Sequence, residues 1–354
     1  MTLLAGRPVS GRPIDVAVLG GGPAGASVAC RLACAGAVVV LVDDGRTPWS
    51  PVGQQLASSA FPLLQALGVA EEFSAGAVQV QESRSAWVGD EMDRRHGLAN
   101  PYGPAWAVDR ARLDPLLRAA AIRAGARLVL GRARTERTAD GSWTVIVDGV
   151  ALCRAPVIVD ASGSARRFSR ELLTWNRLDR MRCSVWHTRP GLAGQQSWSL
   201  VEASPDGWWY SAPTPQPGQL TVLRVENPAG HDRPVPPPYT AHRLGGAHLP
   251  RPTALRTALV GCAHRPWSPG VVAAGDAAMS VDPLSSSGLR HALELAEPAA
   301  AAARALVDGD VGAAEGYATL LRTAFTRHLT ERRQVLSAAS RFRDLPFWAS
   351  RIGR

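Results

Sequence analysis

Several glycines near the N-terminus have the spacing of a loop that holds phosphate groups. Gly20, Gly22 and Gly25 form the pattern G-x-G-x-x-G after an apolar run and before a helix-like segment. In such a loop the first glycine permits a tight turn, the second lets backbone N–H groups approach a pyrophosphate, and the third allows close helix–sheet packing. The spacing predicts dinucleotide binding, with a glycine-rich turn that binds nothing as the alternative. The predicted loop residues are Gly20, Gly22, Pro23, Ala24 and Gly25.

Two aspartates follow apolar runs and are the other candidates for ligand contacts. Asp43 ends the second apolar run, where its carboxylate is suited to bind the hydroxyls of an adenosine ribose. Far downstream, Gly275–Asp276 follows a third run, and a helix-like segment begins at Gly288. Both carboxylates therefore stand at the end of a predicted strand.

The elements that position these residues begin with a β-α-β unit. Apolar residues predict a strand at 14–19, a helix at 24–35 and a second strand at 38–42. A further helix is predicted to begin with Asp114 as N-cap and Pro115 as its first residue, and to end at Gly125.

The rest of the chain alternates between strand and helix signals. Residues 127–160 favour strands, with hairpin turns at Asp140–Gly141 and Asp148–Gly149 and a buried parallel strand at 156–160. Tryptophan-rich, strand-like residues between 168 and 255 predict a substrate domain. The chain after Gly288 is predicted to be helical. Its expected core stripe consists of Tyr317, Leu320, Leu321 and Phe325.

Three segments resemble the FAD-dependent monooxygenases of the p-hydroxybenzoate hydroxylase fold. They are WAVDRARLDPLLRAAAIRAGARL (106–128), VIVDASG (157–163) and AGDAAMSVDPLSSSGLRHALELA (273–295). The resemblance implies an α/β fold with a Rossmann-like FAD-binding domain, a substrate domain with a mixed or antiparallel sheet, and C-terminal helices. The implied bounds are 1–50, 100–167 and 255–310 for a discontinuous FAD domain, 51–99 and 168–254 for the substrate domain, and 311–354 for a C-terminal helical segment.

The resemblance also identifies the expected dinucleotide as FAD. It places Arg110 over the cofactor and Asp276 on the ribityl hydroxyls. The helix start at Gly288 would aim N–H groups and a positive dipole end at the flavin N1/C2 region, which would stabilise the reduced, anionic ring. The remaining residues expected at the cofactor are Pro283, Ser287 and Leu289.

Within this family, the pattern DP-x-x-SSG and a Gly-Trp-rich strand are most similar to one branch. That branch contains flavin-dependent halogenases, geranylgeranyl reductases and hydroxylases of peptidyl tryptophan in quinone-cofactor assembly. The resemblance to halogenases is incomplete, because those enzymes use a lysine and a WxWxIP sequence. This chain has no lysine and has Trp208–Pro213 (WWYSAP) at that place, and residues 53–56 (GQQL) do not keep the halogenase GES pattern. Halogenation is therefore disfavoured.

The resemblance implies oxygen chemistry, in which a flavin C4a-hydroperoxide passes an oxygen atom to an electron-rich aromatic ring. The expected substrate is of the indole or tryptophan type, either as a small molecule or on a peptide or carrier protein. Flat aromatic side chains can enclose such a ring, although plain core packing is the alternative. The expected pocket residues are Trp186, Trp208, Trp209 and Tyr210. His291 and His187 are candidates for proton transfer, with a structural role as the alternative.

The source of electrons stays open at this stage. NADPH-using hydroxylases of the family carry D-G-x-x-S-x-x-R, whereas this chain reads Asp160-Ala161-Ser162-Gly163-Ser164-Ala165-Arg166. Either NAD(P)H binds directly or a partner flavin reductase supplies the electrons. Two rival functions also remain: an FAD-dependent reductase or dehydrogenase acting on an alkene or a C–N or C–C bond, and a non-catalytic FAD-binding escort protein.

Composition narrows the functional classes further. All 39 basic residues are arginine, which excludes every mechanism that needs a lysine, and the net charge is +9. The arginines form no long basic run, so an acidic protein partner is favoured over nucleic acid. The histidine and cysteine spacings predict no metal site, and the N-terminus predicts neither a signal peptide nor a membrane span. The cysteines are expected to be buried thiols in a reducing cytoplasm.

Overall fold

The computed structural model of the protein describes residues 12–45, 54–189, 197–229, 234–246 and 249–352. The strands, in chain order, are β1 (Val16–Leu19), β2 (Val39–Asp43), β3 (Gln54–Leu56), β4 (Val78–Val80), β5 (Glu82–Ala86), β6 (Asp93–His96), β7 (Ala105–Val108), β8 (Arg127–Leu130), β9 (Ala133–Arg137), β10 (Trp143–Val147), β11 (Val150–Ala155), β12 (Val157–Asp160), β13 (Trp175–Thr188), β14 (Trp198–Ser204), β15 (Gly207–Pro213), β16 (Leu220–Glu226), β17 (Ala254–Ala263), β18 (Trp267–Ser268), β19 (Val271–Ala273) and β20 (Met279–Ser280). The α-helices are α1 (Pro23–Cys34), α2 (Phe61–Ala66), α3 (Ala70–Ser74), α4 (Arg110–Arg123), α5 (Pro238–Arg243), α6 (Gly288–Glu294), α7 (Ala296–Val307), α8 (Gly312–Ala338) and α9 (Pro346–Ile352).

The first large sheet carries the predicted β-α-β unit. Within the described residues its strand order is β18-β19-β12-β1-β2-β8, and all neighbouring pairs except β18–β19 are parallel. Strands β1 and β12 are buried along their whole length, which explains why they read as continuous apolar runs. The α/β fold class predicted from sequence is therefore confirmed, with β1, α1 and β2 displaced by at most two residues from their expected bounds.

The predicted start of α4 is wrong by five residues. The helix begins at Arg110, and Asp109 is its N-cap, whose side chain accepts a 2.8 Å hydrogen bond from the N–H of Ala111. Asp114 lies inside the helix because its carboxylate pairs with Arg110 one turn earlier, and Pro115 follows within the helix. The predicted stop at Gly125 is confirmed, since its φ of +110° is the left-handed conformation that glycine favours.

The second large sheet has, in the described residues, the order β20-β17-β13-β16-β15-β14-β5-β6. Most of its neighbouring strands are antiparallel, and one, β14–β5, is parallel. The expected return to the FAD domain at residue 255 falls at the start of β17, which pairs with β13 in this sheet as far as Ala263. The chain rejoins the parallel sheet only at β18 and β19.

The C-terminal helices pack against both sheets. Tyr317 and Leu321 on α8 are buried and Phe325 is half-buried, but Leu320 is 51% exposed, so its predicted place in the core stripe is wrong. The stripe advances by four residues at a time, and Leu320 lies about 100° away from Leu321 on the helix. The indole N–H of Trp348 on α9 donates a 2.9 Å hydrogen bond to the carbonyl of Ser204 in the second sheet.

Two remaining expectations concern the burial of the cysteines and the absence of a membrane span. Cys30, Cys183 and Cys262 are buried thiols, but Cys34 is exposed and Cys153 is only half-buried, so burial was overpredicted. Across the described ranges, no helix combines the length and the apolar character needed to cross a membrane.

Candidate active site

A cavity of about 410 Å³ opens at the carboxyl ends of β1, β2, β12 and β19. Most of the residues predicted to contact the cofactor line it, although they come from three distant segments of the chain. They are Gly20, Gly22, Pro23, Ala24, Asp43, Arg110, Gly275, Asp276, Gly288 and Leu289. Gly25 is not among the residues that line this cavity, and Pro283 and Ser287 line a second cavity next to it.

Two of the loop glycines are required by the packing of the protein itself. Gly20 has a φ of +115°, and a Cβ there would lie 2.4 Å from the carbonyl oxygen of Ala161. A Cβ on Gly25 would lie 1.9 Å from the carbonyl oxygen of Gly20 and 2.8 Å from the Cβ of Ala161. These glycines therefore allow β1, α1 and the end of β12 to approach closely.

Gly22 differs, because no neighbouring protein atom requires a glycine there. A Cβ on Gly22 would meet only the Nη2 atom of Arg110, at an ordinary contact distance of 3.7 Å. The missing side chain instead leaves room on the cavity side of the loop, at the N-terminus of α1 and beside a guanidinium. This cradle fits the pyrophosphate of FAD.

Asp43 is held at the end of β2 by several donors. Its Oδ2 accepts a 2.7 Å hydrogen bond from the N–H of Gly21, and its Oδ1 lies 3.6 Å from Nη1 of Arg118. Arg118 also lines the first cavity, and the sequence analysis missed it. A signal was present, since Arg110, Asp114 and Arg118 recur every four residues and so share one face of α4.

Arg110 links the glycine loop to the second motif. Its Nε and Nη2 atoms donate hydrogen bonds of 2.6 and 2.7 Å to the two carboxylate oxygens of Asp114, which fixes the guanidinium over Gly22. The side chain of Asp276 opens into the cavities but is surrounded by protein elsewhere. Removal from bulk water raises the pKa of Asp276, and the charge of Arg110 opposes this shift. Asp276 can therefore accept hydrogen bonds from ligand hydroxyls beside a fixed cation.

The third motif has a structural role that sequence reasoning did not foresee. The carboxylate of Asp160 is buried and accepts hydrogen bonds of 2.6 to 3.1 Å from backbone and hydroxyl groups of Ser162, Phe168 and Ser169. These bonds shape the loop that carries Arg167 into the first cavity. The departure from D-G-x-x-S-x-x-R was overstated, because Ser164 and Arg167 occupy its serine and arginine positions and only Ala161 differs.

The second cavity, of about 300 Å³, meets the first at Asp276, Gly288 and Leu289. Its other walls are β17, the loop at 281–287 and the facing side of β15. Trp208 and Tyr210 lie on that face and are almost fully buried. Neither the indole N–H of Trp208 nor the hydroxyl of Tyr210 has a hydrogen-bond partner within the part of the chain that the structure describes.

The structure corrects the other two predicted pocket residues. Trp186 and Trp209 stack on each other with ring centroids 5.8 Å apart and form a separate core with Val222 and Leu244. Side chains alternate between the faces of a strand, so Trp209 must point away from the face that carries Trp208 and Tyr210. Of the predicted wall residues Trp208, Trp209 and Tyr210, only Trp208 and Tyr210 therefore face the cavity.

Neither predicted histidine lines either of these two cavities. His187 lies near the end of β13, where its Nδ1 is 3.4 Å from the hydroxyl of Thr253. His291 sits on α6 with its Nε2 3.1 Å from Nη2 of Arg290, and its Nδ1 has no hydrogen-bond partner among the described residues. The position of Gly288 at the cavity does not bring His291 there, because residues three positions apart on α6 need not face the same ligand. The proposed proton-transfer roles are not supported by this geometry.

The environment of His291 predicts a pH-dependent stability. Burial, followed by the charge of Arg290, lowers the pKa of His291 from 6.5 to about 4. The unfolded chain therefore binds a proton that the folded protein does not, and stability falls as the pH drops from 6.5 towards 4. We expect His291→Gln to raise the free energy of unfolding at pH 5 by about 2 kcal/mol relative to its effect at pH 7.5.

Urea unfolding at the two pH values measures this difference, and His264→Gln, at an exposed position, is the matched control. The charged and titratable neighbours His328, Glu331 and Arg327 are retained in both variants. An identical effect of His291→Gln at both pH values would show that folding does not disfavour the imidazolium.

A buried ionic network supports the loop at 281–287 from behind. Nε of Arg332 on α8 donates a 2.7 Å hydrogen bond to Asp282, and the same guanidinium also pairs with Asp179 of β13. Asp179 in turn accepts bonds of 2.8 and 3.0 Å from Arg351 on α9. Nε2 of His328 accepts a 3.1 Å bond from the N–H of Asp282, and burial lowers the pKa of this histidine. No local sequence pattern indicated these contacts, because their partners are far apart in the chain.

Comparisons with known proteins support FAD as the cofactor. Residues 13–149 match a family model described as an FAD binding domain. LodB of Marinomonas mediterranea, whose name describes an FAD-dependent oxidoreductase, is 24% identical over 95% of this chain and 96% of its own. Menaquinone reductase of Mycolicibacterium smegmatis is 28% identical over 91% of this chain and 83% of its own.

Solved structures share the fold over nearly the whole chain. A peptidyl tryptophan dihydroxylase, QhpG, essential for tryptophylquinone cofactor biogenesis, has a TM-score of 0.76 and 24% identity, covering 96% of this chain and 79% of its own. The flavin-dependent halogenase CmlS has a TM-score of 0.79 and 21% identity, covering 96% of this chain and 68% of its own.

The matched domain, the fold and the glycine cradle together define an FAD-dependent oxidoreductase. The chain has the p-hydroxybenzoate hydroxylase-like fold, which it shares with the solved structures of a flavin-dependent halogenase and a peptidyl tryptophan dihydroxylase. Among the described residues, no group of three or more His, Cys, Asp or Glu side chains is arranged to hold a metal ion.

Proposed function

We propose that this protein is an FAD-dependent monooxygenase that hydroxylates an electron-rich aromatic ring, of the indole or tryptophan type. The observation that carries the proposal is the second cavity, which is walled by Trp208 and Tyr210 and meets the first cavity at Asp276, Gly288 and Leu289. The end of the cofactor opposite the glycine loop would therefore face an aromatic substrate site. Bound FAD, in its reduced form, would supply the activation of O2.

The residues of the chain bind, orient and exclude water. Gly22, Arg110 and Asp43 would hold the phosphate and ribose end of FAD, and Asp276 the middle of the molecule. Leu223, Ala258 and Leu284 give the second cavity an apolar lining, so that water would be displaced when a ring enters. Because the described lining contains no imidazole, we expect the chain to orient the substrate and exclude water rather than to supply a histidine base.

Electrons would come from NAD(P)H, either bound directly or used by a partner flavin reductase. Direct use of NAD(P)H is favoured by Ser164 and Arg167, which keep the serine and arginine of the D-G-x-x-S-x-x-R motif. A comparison that stops at Arg166 does not include this arginine. Stopped-flow reduction of the FAD-loaded protein by NADPH alone distinguishes the two routes, since reduction without a partner requires a direct nicotinamide contact.

Reduction of a quinone or alkene is the second candidate, because menaquinone reductase is 28% identical over most of the chain. An oxygen-18 labelling experiment distinguishes the two candidates, and it uses reduced FAD-loaded protein, oxygen-18 gas, a panel of indoles that includes tryptophan within a peptide, and a quinone. We expect one labelled oxygen atom in the product by mass spectrometry. A reduced product without label would support the reductase, and binding with no product of either kind would support the escort function.

Trp208 should govern ring binding, whereas Trp209 should not. Both side chains are 1% exposed, but only Trp208 lines the second cavity. We expect Trp208→Phe to raise the Kd for an indole about tenfold, because the smaller side chain leaves part of the bound ring without contacts. Trp209→Phe is the matched control and should change the Kd less than twofold while lowering stability to a similar extent. Perturbation of the flavin absorption on titration with indole measures both, and equal shifts in Kd would remove Trp208 from the pocket wall.

A further inference from the structure

Strand β17 forms an open edge of the second large sheet. On one side it pairs with β13 along its whole length, from Ala254 to Ala263. On the other side, the ladder with β20 comprises only Gly261 and Cys262. Within the described residues, the stretch from Ala254 to Leu259 therefore has no strand on its outer side.

The alternation of the backbone shows which residues face outwards. The N–H of Ala263 donates a 2.7 Å hydrogen bond to Ala278, so the backbone groups of Ala263 point towards the β20 side. In an antiparallel ladder such groups alternate from residue to residue, and the backbone groups of Leu259, Thr257 and Leu255 therefore also point outwards. The carbonyl of Leu255 agrees with this, because it accepts a 3.2 Å bond from the guanidinium of Arg256.

This edge leads directly into the second cavity. Residues Arg256 to Leu259 line the cavity, while Leu255 is 53% exposed at its outer end. An unpaired strand edge is a template for another extended chain, since its N–H and C=O groups already have the spacing of a ladder. A volume of about 300 Å³ suits one large side chain more closely than a complete substrate with its backbone.

The charges beside the edge indicate what kind of chain would bind. Arg256 is exposed at the cavity mouth, where its guanidinium donates a hydrogen bond to the carbonyl of the neighbouring Leu255. Arg180 is exposed as well and lies directly across from Leu259 in the neighbouring strand. The net charge of +9 acts in the same direction, so an extended segment with acidic residues would be attracted to this edge.

We propose that the substrate is an extended, acidic peptide segment that adds as a strand to the outer edge of β17 at Leu255–Leu259. Its tryptophan side chain then enters the second cavity between Trp208 and Leu289. This inference rests on the proposed function, because it assigns the substrate class to the same site. The inference can be tested separately from the proposed function, because strand pairing is a binding event and can be measured without turnover.

The first experiment uses the FAD-loaded protein and a fluorescent peptide that has a central tryptophan and glutamates on both sides. Two versions carry backbone N-methyl groups on alternate residues, in one register or in the other. We expect one register to weaken binding at least tenfold, as measured by fluorescence anisotropy, and the other to change it less than twofold, because only every second N–H faces the partner strand. Equal weakening by both versions, weakening by neither, or no binding of the parent peptide would overturn the proposal.

The second experiment changes the protein at Leu255, which lies on the same edge but does not line the cavity. Leu255→Pro removes one outward N–H, and Leu255→Ala is the matched control that shortens only the side chain. We expect Leu255→Pro to weaken peptide binding at least tenfold while the FAD content and the Kd for free indole stay within twofold of the parent protein. A parallel loss of indole binding, or unchanged peptide binding, would overturn the proposal. A peptide that binds with register dependence but gains no oxygen would leave strand addition intact and would contradict the monooxygenase.

Discussion

Gly25→Ala is expected to abolish FAD binding and to destabilise the protein by more than about 4 kcal/mol, a loss large enough to unfold many domains. The added Cβ would lie 1.9 Å from the carbonyl oxygen of Gly20 and 2.8 Å from the Cβ of Ala161. Gly20 belongs to the turn after β1, and Ala161 follows the buried end of β12. Neither backbone can move away without opening the cavity. The ratio of flavin to protein absorbance after purification and a thermal unfolding curve measure both effects.

Two other glycines serve as matched controls. Gly22→Ala should leave the melting temperature of the apoprotein within a few degrees of the parent, because its Cβ meets only Arg110 at 3.7 Å, yet it should weaken FAD binding about 10- to 100-fold. Gly316→Ala, on an exposed and unobstructed part of α8, should bind FAD normally and be stabilised by up to about 1 kcal/mol. If Gly25→Ala kept its flavin, or if Gly22→Ala lost stability instead of flavin, the assigned roles of the two glycines would be wrong.

Arg332→Met should destabilise the protein by about 3–5 kcal/mol, the usual cost of leaving a buried carboxylate without its partner. The Arg332 side chain is 4% exposed, and that of its partner Asp282 is only 2% exposed. Asp179 would retain Arg351, so the loss falls mainly on Asp282 and on the loop at 281–287. We therefore expect substrate binding in the second cavity to weaken as well, even in the fraction of protein that stays folded.

Arg327→Met is the matched control, because it lies on the same helix and removes the same charge. Its ion pair with Glu331 has both side chains more than half exposed, so the expected change is within about 0.5 kcal/mol. Urea unfolding of the FAD-loaded proteins compares the two variants, and flavin difference spectra report substrate binding. Similar stabilities for both would mean that the Asp282–Arg332 pair contributes nothing beyond an exposed one.

The sequence alone predicts the parts of the structure that depend on residues close together in the chain. Glycines with fixed spacing after an apolar run have few structural solutions, and the β-α-β unit and the cradle lie where the pattern placed them. The N-cap of α4 shows the limit of local rules, since Asp109 and Asp114 both fit a cap and only the Arg110–Asp114 pair decides between them. A cap rule that ignores side-chain pairing within the helix cannot make that distinction.

The second cavity could not be predicted in the same way, because it depends on which face of a strand meets a distant element. Trp208 and Trp209 are equally aromatic and equally buried, and only the position of α8 and α9 on one side of the sheet separates their roles. Arg332 was one of many arginines in the sequence. Its importance arises from Asp282 and Asp179, which stand 50 and 153 residues away in the chain.

The dispersed origin of the first cavity has a consequence for biosynthesis. The glycine loop leaves the ribosome early, but Gly275, Asp276 and Leu289 complete the same cavity from the last quarter of the chain. The helix that braces the loop at 281–287 emerges later still. A nascent chain that ends before about residue 290 cannot enclose the cofactor, so flavin loading must wait for the synthesis of this segment and compete until then with aggregation of the exposed sheet edges.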